Sequence, residues 1–220
     1  MTTPDSAAPS ARTRVRRIAE NARYDARTVH QIIDAALVCH IAFAGADGVH
    51  CLPTACWRSA DALYIHGSNG SRLIKTLAAG AEAVVTITHL DGLVLARSAF
   101  NHSMNYRSVA IYGRFELVPA AAKAAALAAM LEHLVPGRQA QVRPGDANEL
   151  AATTVLSLAL HEASAKVRSG PPQDEVQDLS WPAWAGVLPL ALLPGPAVAD
   201  PQCRLPAPDN IASWTARRFF

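Results

Sequence analysis

The sequence predicts a mainly β domain, an antiparallel barrel decorated with helices, and three observations predict it. Short apolar or alternating runs recur along the chain, Gly- or Asp-containing turns separate them, and helical patterns stand between only some of them. Six or seven strands in hairpin order fit an antiparallel barrel. A doubly wound parallel sheet needs a helix after nearly every strand, and those helices are missing.

Asp25 precedes a helical pattern with Val29, Ile32, Ile33 and Ala36 on one stripe, so it reads as an N-cap. The period then changes. Leu37 to Ala44 and Val49 to Trp57 flank Asp47-Gly48 as the arms of a hairpin. A turn at Ser59-Ala60-Asp61 leads into a strand from Leu63 to His66, which Gly67 to Ser71 should break. A short helix from Arg72 to Ala79 follows, stopped by Gly80. Val84 to Thr88 is β-branched, and after a turn at Asp91-Gly92 comes a further strand from Leu93 to Ser98. Between Tyr106 and Val118, Arg107, Val109, Ile111 and Phe115 fall on one side, with Tyr106, Ser108, Ala110 and Tyr112 on the other. Residues 120–134 form an Ala/Leu-rich helix ended by Pro136-Gly137, residues 147–154 add a short one, and Val155 to Val167 reads as a late strand.

The chain has 220 residues, half of them hydrophobic and 17% charged, enough for one domain with a real core. Residues 1–11 and the proline-rich stretch at 189–210 resist regular structure, because proline removes a donor and fixes φ. The expected layout is a disordered segment over 1–11, a barrel domain over 12–190 and a Pro-rich tail over 191–220. The basic cluster of Arg12, Arg14, Arg16, Arg17, Arg23 and Arg27 is interleaved with Glu20, Asp25 and Asp34, a solvated face or dimer contact rather than a nucleic-acid surface. Cys39, Cys51, Cys56 and Cys203 show no Cys-x-x-Cys spacing and read as thiols of a reducing compartment. No signal peptide is visible, and Ala185 to Leu193 is too short to span a bilayer. The expectation is a soluble cytoplasmic protein with neither membrane nor nucleic-acid partners. No zinc-hydrolase, nucleophile-elbow, Walker or Rossmann pattern occurs, so no metal site is expected.

Three stretches could carry chemistry. In His66-Gly67-Ser68-Asn69-Gly70-Ser71-Arg72, with Lys75 a turn later, free N–H groups at a helix start beside a guanidinium suit a phosphate. An ordinary capped helix with exposed basic residues reads equally well. The run from Arg97 to Ser108 packs polar donors between apolar strands. Within it, Arg107 shares a face with Val109 and Ile111, a costly place for a charge unless it meets an anion or a structural carboxylate such as Glu116. The third stretch, Ala165 to Pro172 with Trp181 and Trp184-Ala185-Gly186, is either a tail packing its indoles on the barrel or a cover for a flat ligand.

Taken together, Leu63 to Ser68, Asp91 to Ser98, Asn105 to Val109 with Gly113, Ser164 to Arg168 and Trp184 to Gly186 resemble the split-barrel flavin-binding family related to pyridoxamine 5'-phosphate oxidase. The closer resemblance is to its flavin-nucleotide-binding branch, related to nitroimidazole-resistance proteins. It implies a six-stranded antiparallel split β-barrel that dimerises with flavin mononucleotide (FMN) at the subunit interface. By position, His66, Gly67 and Ser68 would line the ring or ribityl chain, while Ser71, Arg72 and Lys75 would hold the phosphate. Thr86 and Thr88 would approach the ring, Asn105, Tyr106 and Arg107 would reach the cofactor across the dimer, and Trp184 would cover it. The resemblance implies an oxidoreductase acting on a small molecule with a reduced nicotinamide as donor, and His66 and Tyr106 are the candidates for proton handling. The oxidase's Arg-x-Val-Leu-Leu-Lys segment is absent from Cys51 to Trp57. Two other readings stay open: a flavin-binding or sensing protein without turnover, and a heme-binding split barrel using His66 or His102.

Overall fold

A computed structural model describes residues 7–215. In chain order the strands are β1 (Ala22–Arg23), β2 (Val38–Gly45), β3 (Gly48–Ala55), β4 (Trp57–Ser59), β5 (Ala62–Ser68), β6 (Glu82–Leu95), β7 (Ser103–Arg114), β8 (Glu116–Leu117), β9 (Thr153–Ala159), β10 (Ala163–Arg168) and β11 (Gly186–Pro189). The α-helices are α1 (Ala26–Asp34), α2 (Arg72–Ala78), α3 (Ala120–Leu134), α4 (Ala147–Ala152) and α5 (Asp209–Thr215).

Two ladders curl around one core. The larger runs β1-β10-β7-β6-β2-β3, with β11 also paired to β6, and the smaller runs β4-β5-β9-β8. They do not close into one ring, which makes this a split barrel. Alternation explains the core: Ile41 and Phe43 of β2, Leu63 and Ile65 of β5, Val85 and Ile87 of β6, Val109 and Ile111 of β7, and Leu156 and Leu158 of β9 all point inward. Helix α1 adds Val29, Ile32 and Ile33 to that core. It starts as expected, with the Asp25 carboxylate accepting from Thr28 N at 2.8 Å.

Several expected boundaries move, each for a visible reason. Asp91-Gly92 is not a turn: β6 runs through it as one strand of 14 residues, with a register shift between Leu90 and Gly92. The continuous partner β7 pairs with both halves, so the Gly-containing dipeptide makes a bulge. Val155 to Val167 is two strands, because a 3-10 turn at Leu160–Glu162 carries the chain from the smaller sheet to the larger. The run from Val49 to Trp57 likewise bends at Cys56, leaving β3 and β4 on different sheets. Strand β5 continues to Ser68 because Thr153 pairs opposite it.

Both ends of the described chain are tied down. The Ser10 hydroxyl donates to Glu162 Oε2 at 3.0 Å, Arg12 Nε donates to the same oxygen at 2.6 Å, and Arg12 also pairs with Glu82. Residues 1–6 lie outside the described part. Late in the chain, β11 pairs with the second half of β6, and Asn210 Nδ2 of α5 donates to Pro136 O at 3.0 Å. Among the described residues no helix is long and apolar enough to cross a membrane.

Candidate functional site

The sequence-predicted residues separate into three groups. The first gathers at the start of α2. His66 stands on the β5 face shared with Tyr64 and, across the strand pair, with Trp57, whose ring centroid lies 5.9 Å away. Its Nδ1 and the Trp57 Nε1 are sealed from solvent with no hydrogen-bond partner, and Trp57 itself is 0% exposed. Burial disfavours the imidazolium and pulls the His66 pKa below its ordinary value. Gly67 has a packing reason: a Cβ there would lie 2.8 Å from Ile74 Cγ1, so its bareness lets α2 sit against β5. Ser68 accepts from Gly70 N at 3.2 Å, shaping the turn. Ser71 occupies the N-cap position but its side chain makes no cap bond, which leaves its hydroxyl available. Arg72 is 59% exposed and, among the described residues, reaches only Asp47, at 3.3 Å, on the β2–β3 hairpin tip. Lys75 lines an open cleft of about 510 Å³ between that hairpin and α2.

The second group lies on the outer face of the larger sheet. Thr86 and Thr88 are exposed there, and Tyr106 and Ser108 continue the face on β7. His40 of β2 sits directly opposite Thr86. Its imidazole is exposed, has no partner among the described residues, and lines a cavity of about 590 Å³. The remaining walls are mostly apolar: Ala35 to Val38 where α1 gives way to β2, Ile87 to Asp91 on β6, and Leu190 to Leu192 from the tail. His89 also lines it, held by a 2.9 Å bond from its Nε2 to the Ile32 carbonyl. The sequence reading singled out neither His40 nor this cavity. The available signal was the alternation Val38-Cys39-His40-Ile41, which turns His40 away from the core.

The third group is engaged by contacts within this chain. Arg107 donates from Nε to Asp91 Oδ2 at 2.9 Å and from Nη2 to Asp91 Oδ1 at 2.8 Å. Its inward charge therefore meets a carboxylate, supplied by Asp91 and not Glu116. Asn105 is buried, donates to Gly170 O at 3.1 Å and accepts from Arg168. Trp184 is 68% exposed and leans over Gly186, where a Cβ would meet its ring at 2.8 Å. His102 is held by Ser98 O at 3.0 Å. His66 and Tyr106 stand on different sheets, so one chain does not bring the two proposed proton carriers together.

Two ladders that curl around one core without closing define the class as a split-barrel protein. The family model described as pyridoxamine 5'-phosphate oxidase matches residues 25–167, and the chain belongs to that family. Among solved structures, a flavocytochrome from Azotobacter vinelandii is 42% identical, with 96% of this chain and 98% of that chain covered and a TM-score of 0.90. A FAD and heme binding protein from Mycobacterium smegmatis is 33% identical, covering 90% and 98% of the two chains with a TM-score of 0.87. A proposed 5-nitroimidazole antibiotic resistance protein from Bacteroides thetaiotaomicron shares the fold at 19% identity and a TM-score of 0.56, over 66% of this chain and 86% of that one. No curated protein matches the chain.

Proposed function

We propose that this protein is a two-cofactor redox protein, binding a flavin, in the dinucleotide form, and a heme. The observation that carries the reading is that two structures similar over nearly the whole chain, at 42% and 33% identity, are a flavocytochrome and a FAD and heme binding protein. The residues present fit both groups. An unpartnered imidazole, His40, facing a mostly apolar cavity of about 590 Å³ is the donor set a heme iron takes. For the flavin, the available Ser71 hydroxyl, the loosely engaged Arg72 and Lys75 give a phosphate group neutralising charge and donors at one corner.

When bound, the flavin supplies hydride chemistry and the heme one-electron chemistry. The chain's own part is to hold, orient and shield them. Arg72 and Lys75 attract the phosphates, Thr86 and Thr88 offer hydroxyls along the sheet, and the sealed side of His66 keeps that ring neutral. We further propose a homodimer, because the larger sheet leaves an outer face on which Thr86 and Thr88 are exposed, and Trp184 stands 68% exposed beyond it. A reduced nicotinamide is the proposed electron donor and a small molecule the acceptor. All four cysteines are free, which suits work in the reducing cytoplasm.

The test is the absorption spectrum of purified protein from heme-replete cells, with mass spectrometry of the released flavin. Flavin bands together with a Soret band, and a dinucleotide mass, are the expected result. A mononucleotide mass would correct the flavin to FMN. His40→Ala should remove the Soret band and keep the flavin. Protein that takes up neither FAD nor hemin on titration would overturn the reading.

A further inference from the structure

Resting on the heme reading of the His40 cavity, we infer that the strap formed by residues 186–192 is the wall that determines which ligand that cavity retains. The strap is built to lie in one place. Gly186 to Pro189 pair antiparallel with Leu95 to Gly92, and the ladder gains one more bond from Leu190 N to Asp91 O at 3.1 Å. Gly92, the first paired residue past the bulge at Asp91, sits directly opposite Pro189 of the strap. A Cβ at Gly92 would approach Leu188 O and Val187 Cγ1 to 3.1 Å each, tighter than ordinary van der Waals contact, so a side chain there pushes the strap outward from β6.

Immediately past that anchor, Leu190, Ala191 and Leu192 line the cavity. Without them the site is a groove on the sheet beside the α1–β2 shoulder. Leu190 is 40% and Leu192 68% exposed, so neither is committed to the core, and both are free to pack on an apolar ligand edge. The one charged lining residue, Asp91, is occupied by its two bonds to Arg107 and adds no unpaired charge to the floor. The strap therefore selects a flat ligand with a broad apolar rim held under the leucines and its ionised groups turned toward water. That is the chemistry of a porphyrin.

The experiment measures transfer of hemin from the loaded protein to excess apomyoglobin. The variants are Gly92→Val, which lifts the strap, and the double change Leu190→Asp with Leu192→Asp, which leaves the core untouched. Leu205→Asp, an exposed tail position outside the cavity, is the control. Both strap variants should release hemin at least about tenfold faster than the unmodified protein, since each leucine contributes apolar contact on the scale that shifts affinity by that factor. The control should match the unmodified protein. Unchanged release from the double leucine variant, with an unchanged thermal melt, overturns the strap assignment while leaving the heme reading intact. An unmodified protein that takes up no hemin overturns both.

Discussion

Arg107 and Asp91 meet in a two-pronged clamp, with Nε and Nη2 donating to separate carboxylate oxygens at 2.9 and 2.8 Å. Both side chains are more than half buried, at 20% and 33% exposure. Removing one partner strands the other charge. Arg107→Ala should cost about 1–3 kcal/mol of stability in urea unfolding, and Asp91→Ala a similar amount. The double variant should cost clearly less than the two added together. Strict additivity would mean that the clamp contributes nothing as a pair.

Arg72 contrasts with Arg107. Exposed and only loosely engaged with Asp47, it contributes little to the fold, so Arg72→Ala should change stability by no more than about 0.5 kcal/mol. Flavin affinity should weaken by about 1.5–3 kcal/mol, the scale of a charge-assisted hydrogen bond. Fluorescence titration with FAD checks it, and equal affinity in the variant would remove Arg72 from the site.

Gly67 and Ile74 define a steric pair. Ile74 is 2% exposed and its Cγ1 stands 2.8 Å from where a Cβ on Gly67 would fall. Gly67→Ala should cost about 1–3 kcal/mol through overpacking. Combining it with Ile74→Ala should cost less than the sum of the separate changes. A lone Gly67→Ala that melts normally would show that α2 is free to shift.

Burial sets a pH dependence through His66. Its folded pKa is depressed, while the unfolded chain titrates near the ordinary value of about 6.5. Below that value the unfolded state takes up a proton that the folded state resists. Stability is therefore full above about pH 6.5 and declines as pH falls toward the lower folded pKa. Melting curves between about pH 8 and 5 should fall more steeply for the unmodified protein than for His66→Phe. Parallel curves would show that another group governs the acid side.

Much of the fold was legible because period and turn chemistry agree with it. The Asp25 cap, the hairpin over Asp47-Gly48 and the helix over 120–134 follow from local rules. The failures occur where one local signal serves two geometries. Asp-Gly can make a turn or a bulge, and only the partner strand β7, distant in sequence, decides between them at Asp91-Gly92. Leu156, Leu158 and Leu160 alternate as one strand would, yet the chain changes sheets between them and β10. The site was partly legible for a similar reason. The Ser71–Arg72 corner is contiguous in sequence. The His40 cavity is assembled from α1, β2, β6 and the tail, and no window of sequence contains it. Arg107 on an inward face calls for an anion or a structural carboxylate, and the bulge residue Asp91 supplies the carboxylate.

The sealing of Trp57 against His66 has an optical consequence. Its indole is fully enclosed, whereas Trp181 and Trp184 are 65% and 68% exposed. Emission from the enclosed ring lies to the blue of emission from the wetted pair, with the half-buried Trp214 of α5 between them, and an aqueous quencher such as iodide reaches the tail indoles but not Trp57. The barrel interior and the tail can thus be followed separately, in one cuvette and without a label, as the protein is loaded or unfolded.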